Sequence, residues 1–288
     1  MLLDVAVLAV LVALWVAFTA WPSARAELLS FKPPRRAPPP PEKIEVVPVS
    51  WKAYPPSGEL EVKGWYVRPL YGAVVILGHG SLADRAHMSG ELKILADAGF
   101  GVLAFDWPGH GESGGEVKLG EPERQAYQSA VDWLLQQEIR PERIGVLGVS
   151  NGAAMLVSFA ANDARVTALA AAGGYTDSLE QTTYEFGRTW PWARAAALLV
   201  VRWKAEGGNF RPIDLAPGWR RRPSLFITCE KDPVVPPRMS EALAAAAGGE
   251  LYRLPCEGHA NYVENGGRAY ADKLVDFFTA ALLPGRRR

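Results

Sequence analysis

From residue 44 onward the chain alternates short apolar runs rich in β-branched residues with stretches of helical period, and few folds accommodate that alternation. Strands buried on both faces read as near-continuous apolar runs, and parallel neighbours need a crossover of about a dozen residues, usually a helix. The pattern predicts an α/β fold, a mainly parallel sheet with helices on both faces. Ile44 to Trp51 and Leu60 to Val67 alternate in strand fashion and read as an opening antiparallel pair. Ala73 to Leu77, Val102 to Phe105, Ile144 to Val149, Val166 to Ala172, Ser224 to Cys229 and Leu251 to Leu254 are runs of buried-strand type. Between them, Leu92, Leu95 and Ala98, then Ala126, Ala130, Trp133 and Leu134, recur at helical spacing, and Gly99 supplies a helix stop. Tyr270, Leu274, Phe277 and Phe278 form a stripe on the last helix, read as core packing.

The amino terminus differs in kind. Leu2 to Trp21 is apolar except for Asp4, and a helix of that length spans about 30 Å, the thickness of a bilayer's hydrocarbon. A cleaved signal peptide is the rival reading, because Ala24-Arg25-Ala26 offers a small-x-small cleavage pattern. The lack of Lys or Arg before the apolar run, and the run's length, favour a retained anchor over residues 1–22. Arg25, Lys32, Arg35 and Arg36 follow the run, so the positive-inside rule places the downstream domain on the cytoplasmic side, with secretion after cleavage as the alternative. Residues 23–43 form a linker whose PPRRAPPPP segment, 33–41, favours an extended, solvated stalk.

Residues 44–284 then make one domain. Within it, Tyr175 to Arg222 is too long for a bare crossover and carries Trp190, Trp192 and the apolar run Ala195 to Val201. In an α/β layout this stretch falls at the carboxyl edge of the sheet, where ligand-binding insertions sit. Residues 175–215 are therefore expected to be a helical cap over the active site, forming an apolar substrate pocket.

Two segments match Gly-x-Ser-x-Gly: Gly148 to Gly152 around Ser150, and Gly111 to Gly115 around Ser113. A nucleophile elbow needs a buried strand before the serine and a helix after it. Ser150 follows the run Ile144 to Val149 and precedes Ala153 to Ala161, a good helix former, whereas Ser113 lies among loop residues. A serine hydroxyl is a poor nucleophile without a base. Of four histidines, His87 lies in a polar segment and His79 and His110 precede the serine, so the order Ser, acid, His selects His259. Asp232, in a turn fixed by Pro233 and Pro236, is preferred to Glu230 as the carboxylate that orients the imidazole. The oxyanion donors are expected to be the Asn151 amide and the Ser81 amide, with Gly80 as the close alternative.

The segments ILGHG (76–80), AFDWPGHGES (104–113), GVLGVSNG (145–152), FITCEKDPVVP (226–236) and EGHAN (257–261) together resemble the α/β-hydrolase superfamily. The chain is similar to the branch of monoacylglycerol-lipase-like enzymes, serine aminopeptidases and membrane-anchored hydrolases, over roughly Glu45 to Leu283. The resemblance implies a mostly parallel eight-stranded sheet, Ser150, Asp232 and His259 as triad, Asp106 as a structural residue, and no cofactor. Cys229 stands where glycine is common, and Trp107-Pro108 replaces a commoner Tyr-Arg type pair. The family layout makes the strands ending at Cys229 and Cys256 neighbours, which raises a disulfide; two buried free cysteines are the commoner arrangement and the expectation.

Lys plus Arg and Asp plus Glu both count 31, so charge points to no nucleic-acid partner. The two cysteines lack metal-ligand spacing, and no metal is expected. The expected partners are a small acyl substrate and, through the amino-terminal helix, a membrane. The expected activity is hydrolysis of a carboxylic, lipophilic ester by an acyl-enzyme. Amide or peptide hydrolysis and acyl transfer are the rivals within enzymes, and a non-catalytic membrane scaffold the rival outside them.

Overall fold

The computed structural model describes residues 2–285. Eight strands lie in one sheet: β1 (Val47–Ala53), β2 (Leu60–Val67), β3 (Val74–Gly78), β4 (Gly101–Phe105), β5 (Ile144–Val149), β6 (Ala168–Ala172), β7 (Ser224–Lys231) and β8 (Glu250–Glu257). Their order is β1-β2-β4-β3-β5-β6-β7-β8. β2 pairs antiparallel with both β1 and β4, and every other pairing is parallel. β3 to β6 are buried at every residue, which is why they read as unbroken apolar runs. β1 runs from Val47 to Ala53, later than the expected Ile44 to Trp51. It is an edge strand whose first residues are exposed, so only Trp51 and Ala53 carry a burial signal.

Helices cover both faces. On one lie α2 (Ser89–Asp97) and α9 (Tyr262–Leu282), whose Leu92, Leu95, Tyr270, Leu274 and Phe278 are fully buried. On the other lie α3 (Glu121–Gln136), α4 (Asn151–Phe159) and α8 (Pro237–Ala247), packed through residues such as Tyr127, Met155 and Leu243. Gly99, at φ +86°, ends α2 as expected. The insertion between β6 and β7 carries α5 (Ser178–Glu185), α6 (Pro191–Lys204) and the short α7 (Pro212–Leu215).

The amino-terminal helix α1 (Leu2–Ser30) is long and apolar enough, over Ala6–Ser30, to cross a membrane or to serve as a signal sequence. It continues into the domain and packs along α6. Trp15 contacts Trp190 and Trp192, whose rings stack 5.1 Å apart, and Trp192 Nε1 donates to Thr19 Oγ1. The cap tryptophans thus clasp α1. An apolar indole needs an apolar partner, and α1 supplies the nearest one.

Two expectations are corrected. The proline-rich stretch is irregular but not a free stalk: Pro33 and Pro38 are buried, and Arg36 pairs with Asp84 at 2.9 Å. Proline has no N–H to leave unsatisfied, so such a stretch can lie against a surface at little cost. Cys229 and Cys256 are not free thiols but form a disulfide, because adjacent parallel strands bring their Cα atoms to 5.0 Å.

Candidate active site

The turn from β5 into α4 holds Ser150 at φ 55° and ψ −122°, a conformation that L-residues rarely adopt. Small neighbours make it possible. A Cβ on Gly148 would stand 2.5 Å from Ala153 N, and one on Gly152 would stand 2.2 Å from Gly78 O. The Ser150 amide donates to Ala172 O at 2.8 Å, which fixes the turn to β6. The hydroxyl consequently stands above the carboxyl end of the sheet, at the amino terminus of α4.

His259 follows β8 and reaches Ser150 Oγ with Nε2 at 2.7 Å, while its Nδ1 lies 2.7 Å from Asp232 Oδ2. A carboxylate can only accept, so Nδ1 carries the proton and Nε2 is left to accept from the serine hydroxyl. Asp232 sits after β7, almost wholly buried, and its Oδ1 accepts from the amides of Val234 and Val235 at 2.8 and 2.9 Å. Glu230, the sequence competitor, is exposed. The structure thus brings Ser150, Asp232 and His259 into one chain of hydrogen bonds, and the disulfide ties the strand before the acid loop to the strand before the histidine loop.

The loop after β3 lies against the serine. A Cβ on Gly80 would stand 3.2 Å from Ser150 Cβ, while Ser81 is exposed beside the cavity. His79 holds this loop: its Nδ1 bonds Gly80 O at 2.8 Å and its Nε2 accepts from the Trp107 amide at 3.1 Å. Burial pushes the His79 pKa well below the ordinary histidine value, so the ring is a neutral strut. Asn151, whose side chain accepts from Tyr175 at 2.7 Å, follows the serine. Asp106 is buried and accepts from the amides of Arg85 and Glu112 and from the Arg85 guanidinium, so it braces the loop after β4.

A cavity of about 430 Å³ opens onto Ser150 and His259. Its walls come from the cap residues Tyr175, Thr182 and Val201 and, unforeseen in the sequence, from α1 and its exit at Ala26, Glu27 and Phe31. No cluster of His, Cys, Asp and Glu suited to a metal occurs among the described residues.

The family model of X-Pro dipeptidyl-peptidase (S15 family) matches residues 51–223, which include Ser150 and end before Asp232 and His259. An uncharacterized protein of Mycobacterium tuberculosis is 28% identical over 239 residues, 79% of this chain and 78% of its own. Among solved structures, an esterase of Pyrococcus furiosus superposes with a TM-score of 0.70 at 20% identity, covering 87% of this chain and 99% of its own. An acylaminoacyl peptidase of Pyrococcus horikoshii gives 0.65 at 16% identity, over 86% of this chain and 43% of its own. These likenesses show the fold, and the family match shows the kinship: the chain belongs to the X-Pro dipeptidyl-peptidase (S15) family, a serine hydrolase of the α/β-hydrolase superfamily.

Proposed function

We propose that the chain cleaves a carboxylic, lipophilic ester through an acyl-enzyme on Ser150. The observation that carries this reading is the unbroken proton path from Ser150 Oγ through His259 to Asp232, with 2.7 Å at each hydrogen bond. His259 Nε2 takes the hydroxyl proton as Ser150 Oγ bonds to the acyl carbon, and Asp232 stabilises the imidazolium. The Asn151 amide and the Ser81 amide hold the oxyanion, with the Gly80 amide as the alternative second donor. His259 then gives its proton to the leaving alkoxide oxygen as the C–O bond breaks. Water, deprotonated by the same nitrogen, attacks the acyl-enzyme, frees the carboxylic acid and returns the proton to Ser150.

Similarity to monoacylglycerol-lipase-like enzymes, together with the apolar walls Phe31, Val117, Leu119 and Val201, supports an ester. Amide or peptide hydrolysis is the second reading, favoured by the name of the matched family. The leaving group would then be an amine and the steps otherwise the same.

Residues 1–22 are proposed as a retained anchor, 23–43 as the connection from it that lies against the domain, and 44–284 as the hydrolase domain with a cap at 175–215. Packing of α1 along α6 supports retention. The Cys229–Cys256 disulfide favours an oxidising compartment for the domain and so weighs against the cytoplasmic side read from the flanking charges.

A fluorophosphonate probe tests the reading: it should label the protein at Ser150 and spare Ser150→Ala. Absence of labelling on a folded sample would sink it. A chain-length series of p-nitrophenyl esters beside aminoacyl-nitroanilides ranks ester against amide.

A further inference from the structure

Glu27 is a carboxylate near the carboxyl end of the mostly apolar α1, 7% exposed, and it lines the cavity that holds Ser150. Burying such a group is unfavourable unless hydrogen bonds compensate, so its partners can be counted. Oε1 accepts from Thr182 Oγ1 on the cap at 2.9 Å. Oε2 has Ser30 Oγ at 3.2 Å, but that hydroxyl has a single proton and lies nearer, at 2.6 Å, to the Glu27 carbonyl. Burial raises the Glu27 carboxyl pKa to about 7, so part of it is ionised at neutral pH, and in that form it offers about four acceptor positions. One is met in full and one is shared, so the remaining capacity is left to whatever occupies the cavity. No Lys or Arg lines the cavity among the described residues, and Glu185 adds a second carboxylate to its wall. A plain alkyl chain entering here would strip solvent from Glu27 and return nothing to it; a chain bearing a donor would restore the hydrogen bonds.

We propose that Glu27, carried by the apolar amino-terminal helix, is a specificity-determining residue of the substrate cavity, selecting acyl substrates that present a hydroxyl or ammonium donor to it. This rests on the hydrolase reading above. It makes α1 part of the enzyme's selectivity as well as of its attachment. A cut after Ala26, at the small-x-small site, would detach the helix immediately before this residue.

The test uses the full chain in detergent and three series of p-nitrophenyl esters matched in length, with plain alkyl, ω-hydroxy and ω-ammonium ends. In the wild type, kcat/KM at the best length should favour a donor-ended ester by ~10- to 100-fold over its alkyl counterpart. Glu27→Leu should remove or reverse that preference while the alkyl ester is still turned over. Glu27→Gln, which keeps a hydrogen-bonding end and loses the charge, separates the two donors: a surviving preference identifies the hydroxyl, a lost one the ammonium. If Glu27 merely ties α1 to the cap, both variants lower all three series in proportion and leave the ratios unchanged, which overturns the proposal. A wild type that prefers the alkyl series at every length overturns it too. Failure of the hydrolase reading looks different, since Ser150 would then resist the fluorophosphonate in the wild type itself.

Discussion

The five-residue pattern Gly-x-Ser-x-Gly occurs twice, and the two copies are built for opposite purposes. Around Ser150 the glycines clear space for a strained turn, so that the hydroxyl stands partly exposed 2.7 Å from His259. Around Ser113 they clear space for a buried carboxylate: a Cβ on Gly111 would stand 2.2 Å from Asp106 Oδ2. Ser113 itself is fully buried, its Oγ accepting from the Lys63 amide of β2 at 2.9 Å. Each serine also has a nearby histidine. His259 reaches Ser150, whereas His110 turns its Nδ1 to Pro108 O and stays buried. One copy presents a hydroxyl to the cavity, and the other uses its hydroxyl to fasten the loop after β4 onto β2. A sequence pattern therefore fixes backbone permissiveness, while the preceding strand and following helix fix what the permissiveness is for.

The contrast breaks most visibly in activity. Ser150→Ala should lower kcat/KM on the order of 10⁶-fold, and Asp232→Asn about 10⁴-fold through loss of the correct histidine tautomer. Ser113→Ala, assayed on folded protein with the same ester, should stay within about twofold of wild type, since its hydroxyl is buried against the Lys63 amide, away from His259. Comparable losses at both serines would erase the distinction.

How far this division could be read in advance varied with the range of the interactions. β2 and β5 fall at the residues their patterns mark, because alternation in β2 and burial on both faces in β5 each leave a purely local signature. Ser150, Asp232 and His259 could be singled out because strand ends, turn residues and chain order narrow the choice before any contact is known. Glu27 could not, since its hydrogen bond to Thr182 joins residues 155 positions apart and nothing local foretells it. The same holds for Trp190 and Trp192, which look like pocket residues until α1 is seen beside them. Cys229 and Cys256 were visible as neighbours only through the strand order, and their bond depends on the bulge and register of β7 against β8.

Stability should show the reverse asymmetry with pH. Burial lowers His110 from the ordinary histidine value of 6.5 to about 4 in the folded protein. Unfolding frees the ring to take up a proton, so the stability this neutral ring retains is present above about pH 6.5 and is lost as the pH falls towards 4, by up to about 3 kcal/mol. Thermal melts at descending pH should therefore show a fall in Tm that is smaller in His110→Asn, whose side-chain amide can still donate to Pro108 O. Burial of His79 acts with the same sign, so part of the fall should survive the substitution. An identical fall in both proteins would remove His110 from the acid-sensitive side of the contrast.

The smallest effect tests whether Ser113 earns its place by fastening. Removing its Oγ leaves the Lys63 amide without an acceptor in a part-buried setting, at a cost of about 1–2 kcal/mol. For a domain of this size that should lower Tm by roughly 2–8 °C, with no change in the fluorophosphonate labelling of the folded fraction. The neighbouring contacts set the upper bound: Gly114 N still donates to Glu61 O at 2.7 Å and Gly109 N to Gly114 O at 2.9 Å, so the loop remains held to β2 when the serine oxygen is gone. A Tm unchanged in Ser113→Ala would mean that those backbone bonds alone carry the junction, leaving Ser113 as a residue that the surrounding glycines tolerate and the fold does not use.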